Sequence, residues 1–182
     1  SWFTVPLFVL LGTLVAVILQ SSSSAMGITL VLAAQGWLPM NAAVGLILGE
    51  NIGTTITAYL ASIVANTNAK RAARIHFLFN IIGVVWVLAI LPWFIDLVDY
   101  VNMNVFGCQS SVRSTDDLER GAALTSAIAV FHTLFNFFNV VLLINFIPQI
   151  VLLAKTMVPS QKGGKKGGKI AVNKFIDMPE MA

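Results

Sequence analysis

Charge is what this sequence has least of. Only 10% of its 182 residues are Asp, Glu, Lys or Arg, whereas 57% are hydrophobic, and the mean hydropathy is +0.85. A soluble domain carries about 25% charged residues, so this chain has too few to coat a water-facing surface. That excludes a cytosolic enzyme, a secreted disulfide scaffold and a disordered regulator, and leaves an integral membrane protein. Cysteine is almost absent as well, and the lone Cys108 cannot close an intrachain disulfide. The chain starts at Ser1, not Met, and runs straight into apolar residues without a basic leader or a cleavage site. It therefore reads as a segment of a longer protein.

The few charges mark out the spans. None occurs from Ser1 to Gly49, from Ile75 to Ile95 or from Gly121 to Ala154. A membrane-crossing helix needs about 20 mostly apolar residues. Three segments meet that need: Trp2–Gln20, with Trp2 and Phe3 as interfacial anchors, Phe77–Leu97, and Ala122 to about Asn145. The last pattern continues to Val158 and should kink or end near Pro148.

Basic residues gather in two places: Lys70, Arg71 and Arg74, and a tail with Lys155, Lys162, Lys165, Lys166, Lys169 and Lys174. By the positive-inside rule both face the cytoplasm. An even number of crossings then separates them, and the loop Asn102–Arg120 with Cys108 falls outside. The tail explains the net charge of +3 without any nucleic-acid partner. Residues 1–158 read as the membrane unit, and residues 159–182 as a Gly- and Lys-rich cytoplasmic linker.

Between Ser21 and Thr67 the pattern changes. Gly27, Gly36, Pro39, Gly45, Gly49 and Gly53 cut the apolar run into short pieces. Such pieces mark re-entrant hairpins and discontinuous helices, whose irregular backbone is tolerated only inside protein or along a cavity. The alternative is that these glycines form close-packing faces. Two polar constellations lie here. Gln20-Ser-Ser-Ser-Ser24 puts an amide and hydroxyls where a short helix starts, which suits an oxyanion. Gly49-Glu-Asn-Ile-Gly-Thr-Thr55 offers hard oxygens suited to Na⁺. The competing readings are hydroxyls that bond back to their own helix and, for Glu50, a protonated or paired packing residue. An intramembrane carboxyl is nonetheless functional by default.

Gln20-Ser21-Ser22-Ser23, followed about 30 residues later by Gly49-x-Asn51-Ile52-Gly53-Thr54-Thr55, resembles the signature of the type II sodium–phosphate cotransporter family. The likeness continues through Arg71-Ala-Ala-Arg-Ile-His76-Phe-Leu-Phe-Asn80 and is nearest to bacterial members. It implies an all-α integral membrane protein: transmembrane helices plus a re-entrant hairpin and a discontinuous helix, forming one half of an inverted-repeat transporter. Glu50 resembles the downstream copy of the motif, so the chain is similar to the second half. Its tail is similar to a junction with a PhoU-like domain. The implied activity is sodium-coupled symport of inorganic phosphate across the plasma membrane, the inner membrane in a bacterium. Gln20, Ser21, Ser22 and Ser23 would bind phosphate, and Gln20 and Ser22 would bind sodium together with Asn51, Thr54 and Thr55 of a neighbouring unwound segment. Ser24 and Glu50 are further candidates. Implied partners are phosphate, Na⁺ as coupling ion, the lipid bilayer and the other inverted repeat. No cofactor and no further metal are implied.

His76-x-Leu-Phe-Asn80 recurs as His132-x-Leu-Phe-Asn136. His and Asn four apart share a helix face, so each pair is expected to bond across to another helix, the alternative being a proton or ion relay. Two other functions are conceivable. One is an intramembrane serine hydrolase using Ser21–Ser24 with His76 or His132, which would lack a Gly-x-Ser-x-Gly elbow. The other is a non-transporting membrane subunit.

Overall fold

The computed structural model describes residues 4–108 and 117–160. Trp2 and Phe3, part of the expected external loop, and most of the basic tail lie outside these residues. Seven α-helices are described: α1 (Thr4–Leu19), α2 (Ser22–Ala34), α3 (Met40–Ala61), α4 (Thr67–Ala89), α5 (Leu91–Phe106), α6 (Asp117–Leu143) and α7 (Ile147–Met157). Two stretches are long and apolar enough to cross a membrane: Thr67–Ala89, and Arg120–Met157 through α6 and α7.

Prolines and caps set several boundaries. Asn66 caps α4 by accepting from the Ala69 amide at 2.9 Å. The expected span Phe77–Leu97 is not one helix. It breaks at Ile90, because Pro92 lies in the first turn of α5 and cannot continue the ladder of α4. The aromatic and acidic residues Trp93, Phe94, Asp96, Asp99 and Tyr100 therefore belong to α5. The break expected near Pro148 is present: a 3-10 turn at Ile144–Phe146 separates α6 from α7, and Pro148 opens α7. The loop expected from Asn102 begins later. Asn102 to Phe106 is helical, and Gly107, at φ 65°, ends α5 in the left-handed conformation that glycine adopts without strain.

The tightest packing joins α1 to α3. An added Cβ on Gly45 would meet Val5 and Phe8 of α1, one on Gly49 would meet Val9 and Thr13, and one on Gly53 would meet Thr13 and Ala16. The contacts ascend together, so the two helices run parallel. Helix α2, which links them in sequence, must then run in the opposite direction. Gly45, Gly49 and Gly53, spaced four apart, form one smooth face against which the α1 backbone lies directly. The stretch expected to be cut into short pieces at Gly45, Gly49 and Gly53 is thus one unbroken helix, Met40–Ala61. The glycines pack here and do not break the chain. At 16 residues α1 is about 24 Å long, short of the roughly 30 Å hydrocarbon core. The first residues of the full pass expected at Trp2–Gln20 lie outside the described residues.

The same core continues where α4, α5 and α6 meet. Phe94 contacts Trp86, Phe131 and Phe138 edge-on at ring-centroid distances of 5.8, 5.4 and 6.2 Å. Buried Asn139 of α6 lies against Gly83, accepts from Trp86 Nε1 at 3.0 Å and donates to the Phe79 carbonyl at 3.3 Å. Asn139 is thus the interhelical amide that the His-x-Leu-Phe-Asn echo was expected to supply. Asn80 and Asn136 instead donate to the carbonyls of His76 and His132 in their own helices. Asn102 joins α5 to α6 through the Ala123 carbonyl and the Ser126 hydroxyl.

The start of α4 and the end of α7 share one end of the molecule. Arg71 donates to the Val158 carbonyl at 3.0 Å and to Ser160 Oγ at 2.9 Å. Arg74 lies 3.1 Å over the Tyr59 ring. The first basic cluster and the root of the lysine-rich tail are therefore adjacent.

Candidate functional site

Gln20 ends α1 with φ 52°, a left-handed conformation that non-glycine residues seldom hold. Strain of this kind costs on the order of 1 kcal/mol and persists where surrounding structure enforces it, commonly at ligand sites. The chain then reverses. Ser21, extended at φ −150°, caps α2 by accepting from the Ser24 amide at 3.2 Å, and its hydroxyl lies 3.2 Å from Ser23 Oγ. The first intrahelical bond of α2 is made by Ala25 to the Ser21 carbonyl, at 3.1 Å. The amides of Ser22 and Ser23 precede it and point out of the helix start. Gln20, Ser22, Ser23 and Ser24 are exposed, and Ser21 is half-buried. The tip thus presents hydroxyls and outward-pointing backbone donors with no carboxylate among them, which suits an oxyanion.

The second constellation lies on α3. The unwound segment expected there is absent. Asn51 donates to Ile47, Thr54 to Glu50 and Asn51, and Thr55 to Ile52, all carbonyls of the same helix, at 2.9, 3.2, 3.1 and 2.7 Å. The backbone carbonyls of this stretch are therefore not freed for a cation. What it can offer are hydroxyl lone pairs and the Asn51 amide oxygen. The physical reason is the glycine face: contact with α1 along Gly45, Gly49 and Gly53 holds the helix straight through the motif.

Among the described residues no hydrogen bond joins Gln20–Ser24 to Asn51–Thr55. The α1–α3 register nonetheless brings them near the same height. Ala16 lies beside Gly53, so Gln20, one turn further, is level with about Thr57. Glu50 is 4% exposed, and its Oε1 accepts from Thr29 of α2 at 2.7 Å. Thr13 of α1 donates to the Gly49 carbonyl at 3.1 Å. Neither Thr13 nor Thr29 stands in a motif. The one signal for them was a hydroxyl inside an otherwise apolar helix. The described residues hold no group of His, Cys, Asp and Glu able to bind a metal ion. A cavity of about 470 Å³, lined by Met40, Asn41, Arg120 and their neighbours, lies at the opposite end of α2 from the serines and includes none of the candidate residues.

Comparison with known proteins bears on this arrangement. A family profile described as Na+/Pi-cotransporter matches residues 5–97. A Bacillus subtilis (strain 168) protein named "Uncharacterized protein YqeW" is 38% identical over 82 residues, covering 45% of this chain and 27% of the relative. Human sodium-dependent phosphate transport protein 2B is 40% identical over 88 residues, covering 46% of this chain and 13% of the relative. Mouse sodium-dependent phosphate transport protein 2C is 37% identical over 93 residues, covering 48% and 16%. The matched stretch is thus less than a third of the length of each of these relatives. No solved structure matches the chain.

Proposed function

The chain belongs to the Na+/Pi-cotransporter family, a family of transporters and not of enzymes, and from that premise we propose that it carries one half of a sodium-coupled transporter of inorganic phosphate. The observation that carries the reading is the tip of the α1–α2 hairpin. An exposed serine run follows a strained Gln20 at the start of a helix. Ser21, Ser22 and Ser23, with Gln20, form the phosphate cradle. Gln20 and Ser22, with Asn51, Thr54 and Thr55 of α3, supply oxygens for Na⁺. No Lys or Arg lies among these residues, so co-bound Na⁺ and the α2 dipole offset the anion charge. That makes uptake obligatorily coupled.

Helices α1 and α2 are the arms of a re-entrant hairpin. Within the described residues both are shorter than a full crossing, and the tip stops about one turn short of the end of α3. The other half of the site comes from a second inverted repeat, in the same full-length chain or another copy. Residues 1–158 form the membrane unit, and residues 159–182 form a cytoplasmic linker.

Phosphate uptake by the complete protein, titrated with sodium, tests the reading. Uptake should require Na⁺. Asn51→Ala should raise the half-saturating sodium concentration by about tenfold while leaving phosphate affinity at saturating sodium close to normal. Absent uptake would instead favour a non-transporting membrane subunit, and sodium-independent uptake would end the coupling reading. An unchanged sodium curve with weakened phosphate affinity would move Asn51 to the anion side.

Orientation has its own test. With Lys70, Arg71, Arg74 and the tail in the cytoplasm, Cys108 faces outward in a plasma or bacterial inner membrane. A membrane-impermeant thiol reagent should label it in intact cells, after permeabilising an outer membrane if there is one. Labelling only after the inner membrane is opened would invert the topology.

A further inference from the structure

Each arm of the hairpin is hydrogen-bonded to one of two consecutive residues of α3. Thr13 of α1 donates to the Gly49 carbonyl at 3.1 Å and to Val9 in its own helix at 2.8 Å. Thr29 of α2, 2% exposed, donates to Oε1 of Glu50 at 2.7 Å. The two arms are held very differently otherwise. Helix α1 is locked by backbone contact along the glycine face of α3. The buried stripe of α2 is Ala25, Thr29 and Ala33. Alanine methyls offer little relief to stop one helix from sliding or turning on another. The far end of α2 is held on α6, where the Ala34 backbone lies against Gly121. Against α3, the directional bond from Thr29 is what fixes its register. A hydroxyl-to-carboxyl bond shielded from water is well suited to that task.

The location of this bond matters for the tip. Ser22 lies two helical turns from Thr29 along α2, about 10 Å. Glu50 and Thr54 are four apart and share a face of α3. Helices α2 and α3 run antiparallel, so Thr54 lies from Glu50 toward the same tip. The pin thus fixes the separation between the start of α2 and the Thr54 face.

We propose that Thr29 and Glu50 are positioning residues of the transport site, whose hydrogen bond places Ser22 and Ser23 relative to Asn51 and Thr54. The inference rests on the reading of those four residues as ligands. Glu50 acts through Thr29, and neither touches phosphate or sodium. A displacement of about 1 Å in such a constellation can cost up to a hundredfold in rate.

The test uses the complete protein in proteoliposomes, with phosphate uptake normalised to inserted protein. Thr29→Val removes the hydroxyl at nearly constant shape. It should raise the half-saturating concentrations of both sodium and phosphate by about tenfold. Thr29→Ser keeps the hydroxyl and should return both to within about twofold. Ser126→Ala removes a buried hydrogen bond elsewhere, to Asn102 Oδ1 at 2.6 Å, and should leave both half-saturation values unchanged. Glu50→Gln keeps an acceptor for Thr29 and should stay within about threefold of the unsubstituted protein. Glu50→Ala removes that acceptor and should raise both half-saturation values by about tenfold; unchanged values there would overturn the proposal even if Thr29→Val fails to insert.

Unchanged half-saturation in Thr29→Val, or no recovery in Thr29→Ser, would overturn the proposal. A tenfold loss in Glu50→Gln would overturn it too, because the carboxyl itself would then be a ligand or carrier. Absence of sodium-dependent uptake in the unsubstituted protein is read before any variant. It would remove the transport reading and this inference with it, whereas normal uptake with an indifferent Thr29→Val removes the positioning role alone.

Discussion

Gly49→Ala should cost the protein its native hairpin, although it adds one methyl group. A Cβ at Gly49 would sit 2.6 Å from the Thr13 amide nitrogen and closer still to the Val9 carbonyl oxygen. Both are backbone atoms in the middle of α1, so no side chain can swing aside. The helices would have to separate along their whole contact, which would also stretch the Thr13 hydroxyl bond to Gly49, now 3.1 Å. Overpacking a well-packed core costs about 1–3 kcal/mol where side chains can yield, and here the cost should lie at or above that range. Gly12→Ala meets the Leu46 backbone in the same way and should behave alike.

Gly27 supplies the contrast. It is an exposed helical glycine with no heavy atom within 4 Å of an added Cβ. Gly27→Ala should be neutral or stabilising by up to about 1 kcal/mol, the difference in helix propensity. Thermal unfolding and protease resistance of the purified protein in detergent measure all three. Equal stability of Gly49→Ala and Gly27→Ala would mean that α1 and α3 do not touch through their backbones.

Combining Ser22→Ala with Ser23→Ala should lower phosphate transport by a hundredfold or more. A hydrogen bond to a charged ligand is worth about 1.5–3 kcal/mol, roughly ten- to a hundredfold each. Stability should hardly change. Both side chains are exposed, neither bonds to another helix, and alanine is a good helix former. The cap is kept, because the Ser24 amide still bonds to Ser21 Oγ. Ser24→Ala is expected to have a smaller effect, since its hydroxyl lies outside the triplet. Uptake per inserted molecule, read beside the melting temperature, separates lost binding from lost folding. Normal uptake in the double variant would end the anion-cradle reading.

Much of this protein is legible residue by residue. The scarcity of charge sets the class, because charge depends on composition alone. Pro92 and Pro148 end helices wherever they stand, because a missing N–H and a ring clash are local facts. The serine run after Gln20 could be read as a helix start, because capping is settled within four residues. The glycines of α3 and the two threonines are another matter. Glycine loosens an isolated helix, and it also permits backbone contact between helices, so its consequence depends on what lies opposite. Here Val9 and Thr13, some 40 residues earlier, lie opposite, and Gly49 belongs to an unbroken helix. Thr29 likewise acquires meaning only when α2 folds back and places its hydroxyl on the Glu50 carboxyl, 21 residues away. Hydropathy and local propensity contain no term for such a partner, so the straight α3, its parallel embrace of α1 and the pin on α2 were decided by packing in three dimensions.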